Sequence, residues 1–247
     1  MSKAVLITRP VGQADALIAS LTQYQVPYYH IPAVNILPRL LTEQDIAYIQ
    51  AAEILIFTSQ NAAMYAPLFT QAATVLAVGQ ATRHALFTKG YASIICPSDF
   101  SSEGLLALSI LQSVRGKRIA ILKGVNGREE LQTVLMQRGA CCQGFAVYAR
   151  AYPADGASRL QELLAEKKIG CVVVTSGEIL QNLCRMAGPY QDSLQCLPLI
   201  VISQRIARLA QDLGFASVEV IDHDYLRLGI FEHQQRIENI TTPQNET

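Results

Sequence analysis

The chain has 247 residues, of which 50% are hydrophobic and 16% are charged, so it holds enough apolar material for one large domain or two of modest size. Lys plus Arg total 20 and Asp plus Glu total 20, so the formal net charge is zero and a nucleic-acid binder held by phosphate contacts is not expected. The apolar run near the N-terminus is too short for a signal peptide or a membrane span, so we expect a cytoplasmic protein that does not associate with membranes.

Short β-rich runs alternate with amphipathic helical stretches along the first half of the chain. The predicted strands are, in order, "AVLIT", "YYHIPAV", "ILIFT", "TVLAVG" and "SIICP". The predicted helices between and after them carry Leu17 and Leu21 on one face, span residues 43–52, begin at about Asn61, span residues 80–89, and open at "SSEGLLAL". This alternation is typical of parallel sheets covered by helices on both faces, and the continuous apolar strands fit burial on both faces.

The same pattern restarts near Arg115-Gly116. The segment "KRIAILKGVNGREELQTVLMQRGACCQGFAVY" aligns without a gap on "KAVLITRPVGQADALIASLTQYQVPYYHIPAV", with Leu131 and Leu135 in the places of Leu17 and Leu21. The strands that end in "FTSQNA" and "VVVTSGEI" match next, and so do the helices and strands that follow. A repeat of this length, present twice, indicates a duplicated domain-sized unit. The polar stretch 233–247 is expected to be disordered.

Polar or small residues follow matching strands in both repeats. In order they are Arg9, Thr58-Ser59 and Gly79-Gln80 in the first repeat, and Lys123-Gly124, Thr175-Ser176 and Ser203-Gln204 in the second. Ligands of open parallel sheets bind beyond the carboxyl ends of the strands, and each position is expected to lead into a helix start, where free N–H groups favour anions. A single Thr or Ser before a helix is usually only a cap. Two matched pairs, with a cation at each repeat's first strand end, favour an anion-binding cleft.

Motifs for other chemistries do not occur in the sequence. None of the six cysteines forms a C-x-x-C pair and the four histidines are scattered, so we expect no metal site. There is no GxxxxGK[ST], no G-x-G-x-x-G after the first strand and no G-x-S-x-G, so no nucleotide cofactor or hydrolase elbow is expected. Tyr148 ends the strand "FAVYAR", where packing and proton donation both remain open.

The ordered set "VLITRP", "FTSQNA", "VGQAT", "SSEGLL", "ILKGVNGREEL", "AVYAR" and "VVVTSGEIL" resembles uroporphyrinogen-III synthase over nearly the full chain. The resemblance implies two α/β domains with parallel sheets of the flavodoxin-like type, joined by a two-stranded linker around a central cleft. Residues 1–34 plus 153–232 would form one domain and 39–148 the other, with 35–38 and 149–152 as linkers. Each repeat would therefore lend its first βαβ unit to the other domain.

The reaction implied by this resemblance is the cyclisation of hydroxymethylbilane, a linear tetrapyrrole, to uroporphyrinogen III with inversion of ring D and loss of water. It needs no cofactor and no metal, because electron-rich pyrroles expel the hydroxyl themselves once its oxygen is protonated. The enzyme's main task is then geometric, since the unassisted closure gives the symmetric isomer. We further expect a monomer that makes transient contact with the preceding enzyme of the pathway.

The resemblance also implies site residues. Tyr148 matches the tyrosine implicated in helping the hydroxyl to leave. The expected substrate-binding residues are Arg9, Thr58, Ser59, Asn61, Gly79, Thr82, Ser102, Lys123, Gly124, Arg128, Thr175, Ser176, Ser203, Gln204 and Arg205. The second repeat departs from the family's Gly-x-x-Thr turn with Ser203 and Arg205-Ile206, and Arg205 is expected to contact a carboxylate in place of the threonine.

Two other functions share features of this sequence. A non-enzymatic two-domain binder of a small polyanionic ligand would also use matched strand ends, although such binders are usually secreted. A transferase with a nucleotide in one half would need phosphate-binding glycines that the sequence lacks. Turnover distinguishes the enzyme from the binder.

Overall fold

The computed structural model describes residues 3–69 and 73–221. The predicted disordered stretch 233–247, and the part of the predicted first domain beyond residue 221, lie outside the described residues. The strands are β1 (Ala4–Ile7), β2 (Tyr28–His30), β3 (Asn35–Pro38), β4 (Ile54–Phe57), β5 (Thr74–Ala77), β6 (Ile94–Ile95), β7 (Arg118–Gly124), β8 (Cys141–Ala151), β9 (Ile169–Val174), β10 (Leu199–Val201) and β11 (Val218–Val220).

Helices separate most of these strands. They are α1 (Asp15–Gln23), α2 (Glu43–Gln50), α3 (Gln60–Tyr65), α4 (Gln80–Thr88), α5 (Ser102–Ala107), α6 (Ser109–Gln112), α7 (Glu130–Gln137), α8 (Ala157–Ala165), α9 (Gly177–Ala187), α10 (Gln191–Gln195) and α11 (Gln204–Asp212). Two short 3-10 turns, Ala154–Gly156 and Gly188–Tyr190, precede α8 and α10. The expectation of an α/β protein with parallel sheets is confirmed.

The chain divides into two compact units. Unit 1 is Met1–Asn35 with Ala151–Thr247, and unit 2 is Ile36–Arg150. The described part of unit 1 holds one sheet in the order β11-β10-β9-β1-β2, and each neighbouring pair is parallel. Numbered along the chain within the unit, this is the order 2-1-3-4-5, one of the two common orders of doubly wound α/β sheets.

Unit 2 repeats the order of unit 1 with the chain entering at a different strand. Its described sheet runs β3-β8-β7-β4-β5-β6, and the pairs from β8 to β6 are parallel. Strands β7 and β8 occupy in this sheet the places that β1 and β2 occupy in the other. The first βαβ segment of each sequence repeat therefore completes the sheet formed by the later strands of the other repeat.

Both points at which the chain passes from one unit to the other lie in neighbouring strands. Strand β3 begins at Asn35, where unit 1 gives way to unit 2, and β8 ends at Ala151, where the chain returns. The two strands are adjacent in the sheet, and the amide of Arg39 donates to the carbonyl oxygen of Val147 at 2.9 Å just beyond β3. The family resemblance implied a two-stranded linker at 35–38 and 149–152; residues 35–38 form β3, and the strand beside it, β8, ends at Ala151.

Each sheet is covered on both faces. In β4, Leu55 and Phe57 contribute to one apolar cluster and Ile54 and Ile56 to another, because successive side chains of a strand point to opposite faces. In unit 1, Val5 and Ile7 of β1 pack in one cluster with Leu17 and Leu21, which lie on one face of α1 as the sequence predicted, and the intervening Leu6 is also fully buried. Fully burying one such side chain contributes roughly 1.5–3 kcal/mol.

Across residues 3–69 and 73–221, the longest apolar helices fall short of what a bilayer crossing needs.

Candidate functional site

Tyr148 in unit 2 lies against Gly124, at the carboxyl end of β7. The two residues are partners in the β7–β8 register, and the amide of Val125 donates to the carbonyl oxygen of Tyr148 at 2.9 Å. A Cβ added to Gly124 would lie 2.6 Å from Cζ and 2.9 Å from Oη of Tyr148. A larger residue at 124 would therefore displace the phenol, which makes the glycine a requirement of this arrangement.

The Tyr148 hydroxyl is held by a serine from a different strand. Its Oη is 3.1 Å from Oγ of Ser59, the N-cap of α3, and the same Oγ accepts a hydrogen bond from the Ala62 amide at 3.0 Å. The ring of Tyr65, the last residue of α3, has its centroid 6.4 Å from that of Tyr148 with the planes 33° apart. Tyr148 is 6% exposed, so its phenol occupies a place fixed by protein on several sides.

Thr58 precedes Ser59 and joins β4 to β7. Its Oγ1 donates to the carbonyl oxygen of Leu122 at 3.2 Å, and its amide donates to the same oxygen at 3.1 Å. Leu122 is the register partner of Phe57, so this double contact extends the β4–β7 pairing by one residue. Thr58 is half-buried beside Ser59 and does not cap the helix; Ser59 does.

Three other expected residues of unit 2 lie around α3 and α4. Asn61 is 5% exposed and Thr82 is 3% exposed, so both side chains are largely covered by protein. Gly79 is the N-cap of α4 with an extended backbone, and a Cβ there would meet Cβ of Phe100 at 3.4 Å, an ordinary contact. Neither its dihedral angles nor a clash requires glycine at this position.

Lys123 and Arg128 precede a helix that begins later than expected, whereas Ser102 lies at the helix start predicted at "SSEGLLAL". Nζ of Lys123 donates to the carbonyl oxygen of Gly127 at 3.2 Å, while Arg128 is exposed. Both precede α7, which begins at Glu130 after a turn closed by the Gly127 amide on the Gly124 carbonyl at 3.0 Å. Ser102 is the first residue of α5; the N-cap is Ser101, whose Oγ accepts from the Gly104 amide at 2.9 Å.

Arg9 in unit 1 follows β1, which pairs with β9. Its Nε is buried and makes no hydrogen bond among the described residues, and burial lowers the pKa of its guanidinium. The preceding Thr8 is fully buried and donates from Oγ1 to the carbonyl oxygen of Val173 at 2.6 Å. An unsatisfied buried donor is costly unless a ligand completes it, so Arg9 is suited to a carboxylate.

The expectation that a helix starts directly after β1 and β7 was wrong. Helix α1 begins at Asp15, six residues after Arg9, and its N-cap Ala14 makes no side-chain cap bond. The intervening turn is closed by the Gln13 amide on the Pro10 carbonyl at 3.1 Å, and Gly12 has a φ of 76°. Arg9 and Lys123 therefore lie in loops, where they can contribute their side-chain charge to a binding site. They do not lie beside the free amides of a helix N-terminus.

Thr175, Ser176 and Ser203 follow the neighbouring strands β9 and β10 of unit 1. Ser176 caps α9, its Oγ accepting from the Ile179 amide at 3.2 Å, and Ser203 caps α11, its Oγ accepting from the Ile206 amide at 3.4 Å. Thr175 is half-buried beside Ser176. These two strand ends lead directly into helices, as the sequence predicted.

Gln204 and Arg205 occupy the first turn of α11. Both are exposed, whereas Ile206 is 3% exposed and belongs to the packed side of the helix. The second repeat has Ile206 where the Gly-x-x-Thr turn has its threonine, and a hydroxyl at this buried position would lie in the core. Ile206 instead contributes an apolar side chain to the core, while the neighbouring Arg205 is exposed.

Comparison with known proteins decides the family. Residues 15–223 match the family model described as Uroporphyrinogen-III synthase HemD. The chain is 32% identical to the uroporphyrinogen-III synthase of Escherichia coli (strain K12) over 236 residues, which covers 89% of this chain and 95% of that protein. The chain belongs to the uroporphyrinogen-III synthase family. The synthase of Salmonella typhimurium is also 32% identical, over 238 residues, with the same coverage of both chains.

Solved structures of the family share the fold. The uroporphyrinogen-III synthetase of Helicobacter pylori 26695 superimposes with a TM-score of 0.60 at 15% identity, covering 97% of this chain and 100% of that one. A mutant uroporphyrinogen III synthase of the extremely thermophilic bacterium Thermus thermophilus gives a TM-score of 0.57 at 16% identity, covering 95% and 99%.

In this member of the synthase family, the expected residues fall into separate groups. Tyr148 contacts both Ser59 and Gly124, and Thr58 precedes Ser59. Arg9, Thr175 with Ser176, and Ser203 lie at the ends of three successive neighbouring strands of unit 1. Arg128, Gln204 and Arg205 are exposed, and Asn61 and Thr82 are buried.

Three residues near these groups were missed by the sequence analysis. Thr8 precedes Arg9 in "VLITRP", and its hydroxyl donates across from β1 to β9; a hydroxyl directly after an apolar run is the signal that could have found it. Tyr65 contacts Tyr148 from the far end of α3 and carries no sequence signal beyond being aromatic. Phe100 is 56% exposed beside Gly79, in the loop before α5.

Among residues 3–69 and 73–221, no three His, Cys, Asp or Glu side chains come together as a set of metal ligands.

Proposed function

We propose that this chain cyclises hydroxymethylbilane to uroporphyrinogen III, with inversion of ring D and release of one molecule of water. The observation that carries this proposal is family membership: the family model matches residues 15–223, and a curated synthase is 32% identical over nearly its whole length. The assignment makes the protein a cyclising lyase of tetrapyrrole biosynthesis.

Tyr148 is proposed as the catalytic residue. Its phenol donates a proton to the hydroxyl oxygen on ring A, the carbon–oxygen bond breaks, and water leaves with the electron pair. The resulting azafulvenium cation is attacked by the substituted carbon of ring D, which gives a spiro intermediate. That intermediate opens, and ring D closes in the inverted sense. The support within this chain is the fixed place of the phenol between Gly124 and Ser59.

Substrate binding is proposed to use the carboxyl ends of the strands in each unit. The substrate carries eight carboxylates, and the expected contacts combine cations with hydroxyls and helix amides. Among the cations, Arg9 is the best-supported carboxylate contact, because its buried Nε has no hydrogen-bond partner among the described residues. The amides that follow Ser176 and Ser203 open helices of eleven and nine residues, where the positive end of the helix dipole favours anions.

The finer architecture is also a proposal. Units 1 and 2 act as the two flavodoxin-like domains implied by the family resemblance, joined by residues 35–38 and 149–152, with the substrate in a central cleft. The resemblance supports the cleft, and the strand orders within the two units support the fold type.

We also propose that the protein acts as a cytoplasmic monomer and meets the preceding pathway enzyme transiently. Hydroxymethylbilane closes spontaneously to the symmetric isomer, so a short transit favours the correct product. All six cysteines are free, which suits a reducing compartment. Sedimentation at micromolar concentration tests the monomer, and a dimer would overturn it.

A coupled assay tests the activity. Hydroxymethylbilane is generated in situ, the protein is added without cofactor, the products are oxidised, and the type I and type III porphyrins are separated. We expect type III in excess, rising with the protein added. Type I alone at the background rate, with folded protein, would overturn the proposal and leave a non-enzymatic binder of a polyanion as the function to test next.

A further inference from the structure

Three polar groups stand in a row at the carboxyl end of the unit 2 sheet. The Ala62 amide donates to Ser59 Oγ at 3.0 Å, and Ser59 Oγ lies 3.1 Å from Tyr148 Oη. The serine and the tyrosine are 89 residues apart in the chain, at the N-cap of α3 and in β8, so the contact depends on the β4–β7–β8 pairing. The two hydroxyls are part-buried, which strengthens a hydrogen bond between them relative to one in water.

The direction of the hydrogen bond between Ser59 and Tyr148 determines what the phenol can do. A serine hydroxyl has one proton and two lone pairs, and the Ala62 amide already occupies one lone pair. If Tyr148 donates to Ser59, the phenol proton is engaged within the protein. If Ser59 donates to Tyr148, the phenol proton is free to point at a ligand.

The second arrangement is favoured by polarisation along the row. A hydroxyl that accepts a hydrogen bond becomes a better donor, so the bond from Ala62 strengthens Ser59 as a donor, and the bond from Ser59 strengthens Tyr148 as one. Every donor in the row Ala62 N–H, Ser59 O–H, Tyr148 O–H then points the same way, away from helix α3.

We propose that Ser59 is a positioning residue for Tyr148, which holds the phenol with its proton directed at the substrate and stabilises the oxygen after the proton has left. The inference rests on the proposed function, because it concerns the same proton transfer. In that step the Tyr148 proton goes to the departing oxygen, which leaves as water. The negative charge on the phenolate oxygen is met by the Ser59 O–H. The proton that ring D loses when it regains aromaticity restores Tyr148, so protons balance over one turnover.

Gly124 completes this arrangement from the other side. The position its Cβ would take is 2.6 Å from Tyr148 Cζ, so the ring lies directly on the glycine and cannot swing toward β7. Ser59 fixes the hydroxyl while Gly124 fixes the ring. With these two contacts, one from the N-cap of α3 and one from the end of β7, rotation about the Cζ–Oη bond of Tyr148 is what remains to direct the proton.

A double-mutant cycle tests the proposal. The rate of type III formation is measured for the wild type, Ser59→Ala, Tyr148→Phe and the double variant, with kcat and KM determined separately. We expect Tyr148→Phe to lower kcat roughly 100-fold, the size of a general-acid contribution. Ser59→Ala should lower kcat about tenfold with KM changed less than about threefold, as for one lost hydrogen bond to a developing charge. In the Tyr148→Phe background, Ser59→Ala should lower kcat less than about twofold.

Two further variants separate positioning from helix capping. Ser59→Gly removes the hydroxyl yet retains a residue that is accepted at an N-cap, so it keeps the test usable if Ser59→Ala does not fold. Ser101→Ala is the matched control, since Ser101 caps the equally short helix α5 and its hydroxyl contacts Asp99 rather than a tyrosine. Ser101→Ala should lower thermal stability by about as much as Ser59→Ala does, but it should leave kcat unchanged.

Each outcome bears on one of the two proposals. Wild-type protein that forms no type III product overturns the proposed function, and the inference with it. If the wild type is active but Ser59→Ala and Ser59→Gly keep full kcat, Ser59 does not position Tyr148. If Ser59→Ala lowers kcat tenfold even in the Tyr148→Phe background, the serine acts independently of the tyrosine and the inference is overturned.

Discussion

Gly124 must be a glycine because the ring of Tyr148 lies directly against it. Its backbone is outside the left-handed region, so any residue could adopt its conformation, but a methyl group there would overlap the phenol. We expect Gly124→Ala to fold with a cost of roughly 1–3 kcal/mol in the free energy of unfolding, as for overpacking elsewhere. Type III formation should fall at least tenfold because the phenol must move. Unchanged kcat in the folded variant would show that the place of Tyr148 does not matter.

Burial decides which cysteines react. It raises the pKa of the Cys142 thiol to about 12, and burial together with the negative charge of Glu219 raises that of Cys171 to about 12. The thiolate is the reactive form, so at pH 8 neither should be alkylated by iodoacetamide in the native protein, whereas the exposed Cys141 and Cys196 should be. Mass spectrometry of native and urea-unfolded samples measures this. Equal labelling of all four in the native state would contradict it.

The same thiols make stability depend on pH in a defined direction. An unfolded cysteine ionises above about 8.5, whereas these two stay protonated in the folded state up to a pH of about 12. The unfolded chain therefore binds fewer protons than the folded one in this window, and the two thiols should make the free energy of unfolding fall as pH rises from about 9 toward 12. Replacing both by alanine should flatten that part of the profile.

At the residue scale, the sequence predicted the kinds of side chain at the strand ends and could not predict their partners. Thr-Ser after an apolar run indicates a strand end and a cap, and Ser59 and Ser176 are both caps. The contact of Ser59 with Tyr148 arises from strand pairing, which no local pattern specifies. The burial of Thr82 was equally hidden, because the side facing the core depends on where α4 packs.

Helix caps allow stability and binding to be separated at the scale of the element. Thr42 caps α2 through a capping box with Asp45, and Ser176 caps α9 at a proposed substrate-binding strand end. Thr42→Ala and Ser176→Ala should each lower the free energy of unfolding by about 1 kcal/mol. Only Ser176→Ala should also raise KM for type III formation, by roughly threefold to tenfold, because it disturbs the amides offered to a carboxylate.

Urea unfolding and steady-state kinetics on both variants provide the measurement. An equal KM for the two variants would show that Ser176 is only a cap.

The sequence predicted the start of a helix closely where a capping hydroxyl residue comes directly before an amphipathic helical pattern. Helices α3, α9 and α11 begin directly after Ser59, Ser176 and Ser203. Where two hydroxyls stand in tandem, as at Ser101-Ser102, the pattern cannot tell which one caps the helix, and the structure uses the first. The loops before α1 and α7 escaped prediction because their turn residues, Gly12 and Asn126 with positive φ, delay the helix by one turn.

The exchange of βαβ segments between repeats predicts which fragments fold. Residues 36–150 contain β4 to β8 and both apolar clusters of unit 2, so this fragment should unfold cooperatively on heating. Residues 1–115, which form the first sequence repeat, lack β7, the partner of β4, and β9, the partner of β1. Circular dichroism melts should show a cooperative transition for the first fragment and none for the second. A cooperative transition of residues 1–115 would contradict this account.

At the scale of the molecule, the duplication was visible in the sequence, and the exchange was implied only by the family resemblance. Local periodicity shows that β1 and β7 are equivalent strands, but it cannot tell whether each pairs with its own repeat or with the other. That choice depends on contacts between residues more than one hundred positions apart, such as Ile7 with Val173. Composition and hydrophobic periodicity indicate local structure over one or two turns, so they do not specify which distant strands pair.

The position of β1 as an interior strand, between β2 and β9, in a sheet completed by β9 to β11 has a consequence for synthesis on the ribosome. Translation proceeds at about 5–20 residues per second, so roughly seven to thirty seconds separate the appearance of the first 35 residues from that of β9. Unit 2 is contiguous and is complete first. During that interval "AVLI" has made none of its native pairings with β9, which makes the nascent N-terminus a natural client for a chaperone that binds short apolar segments.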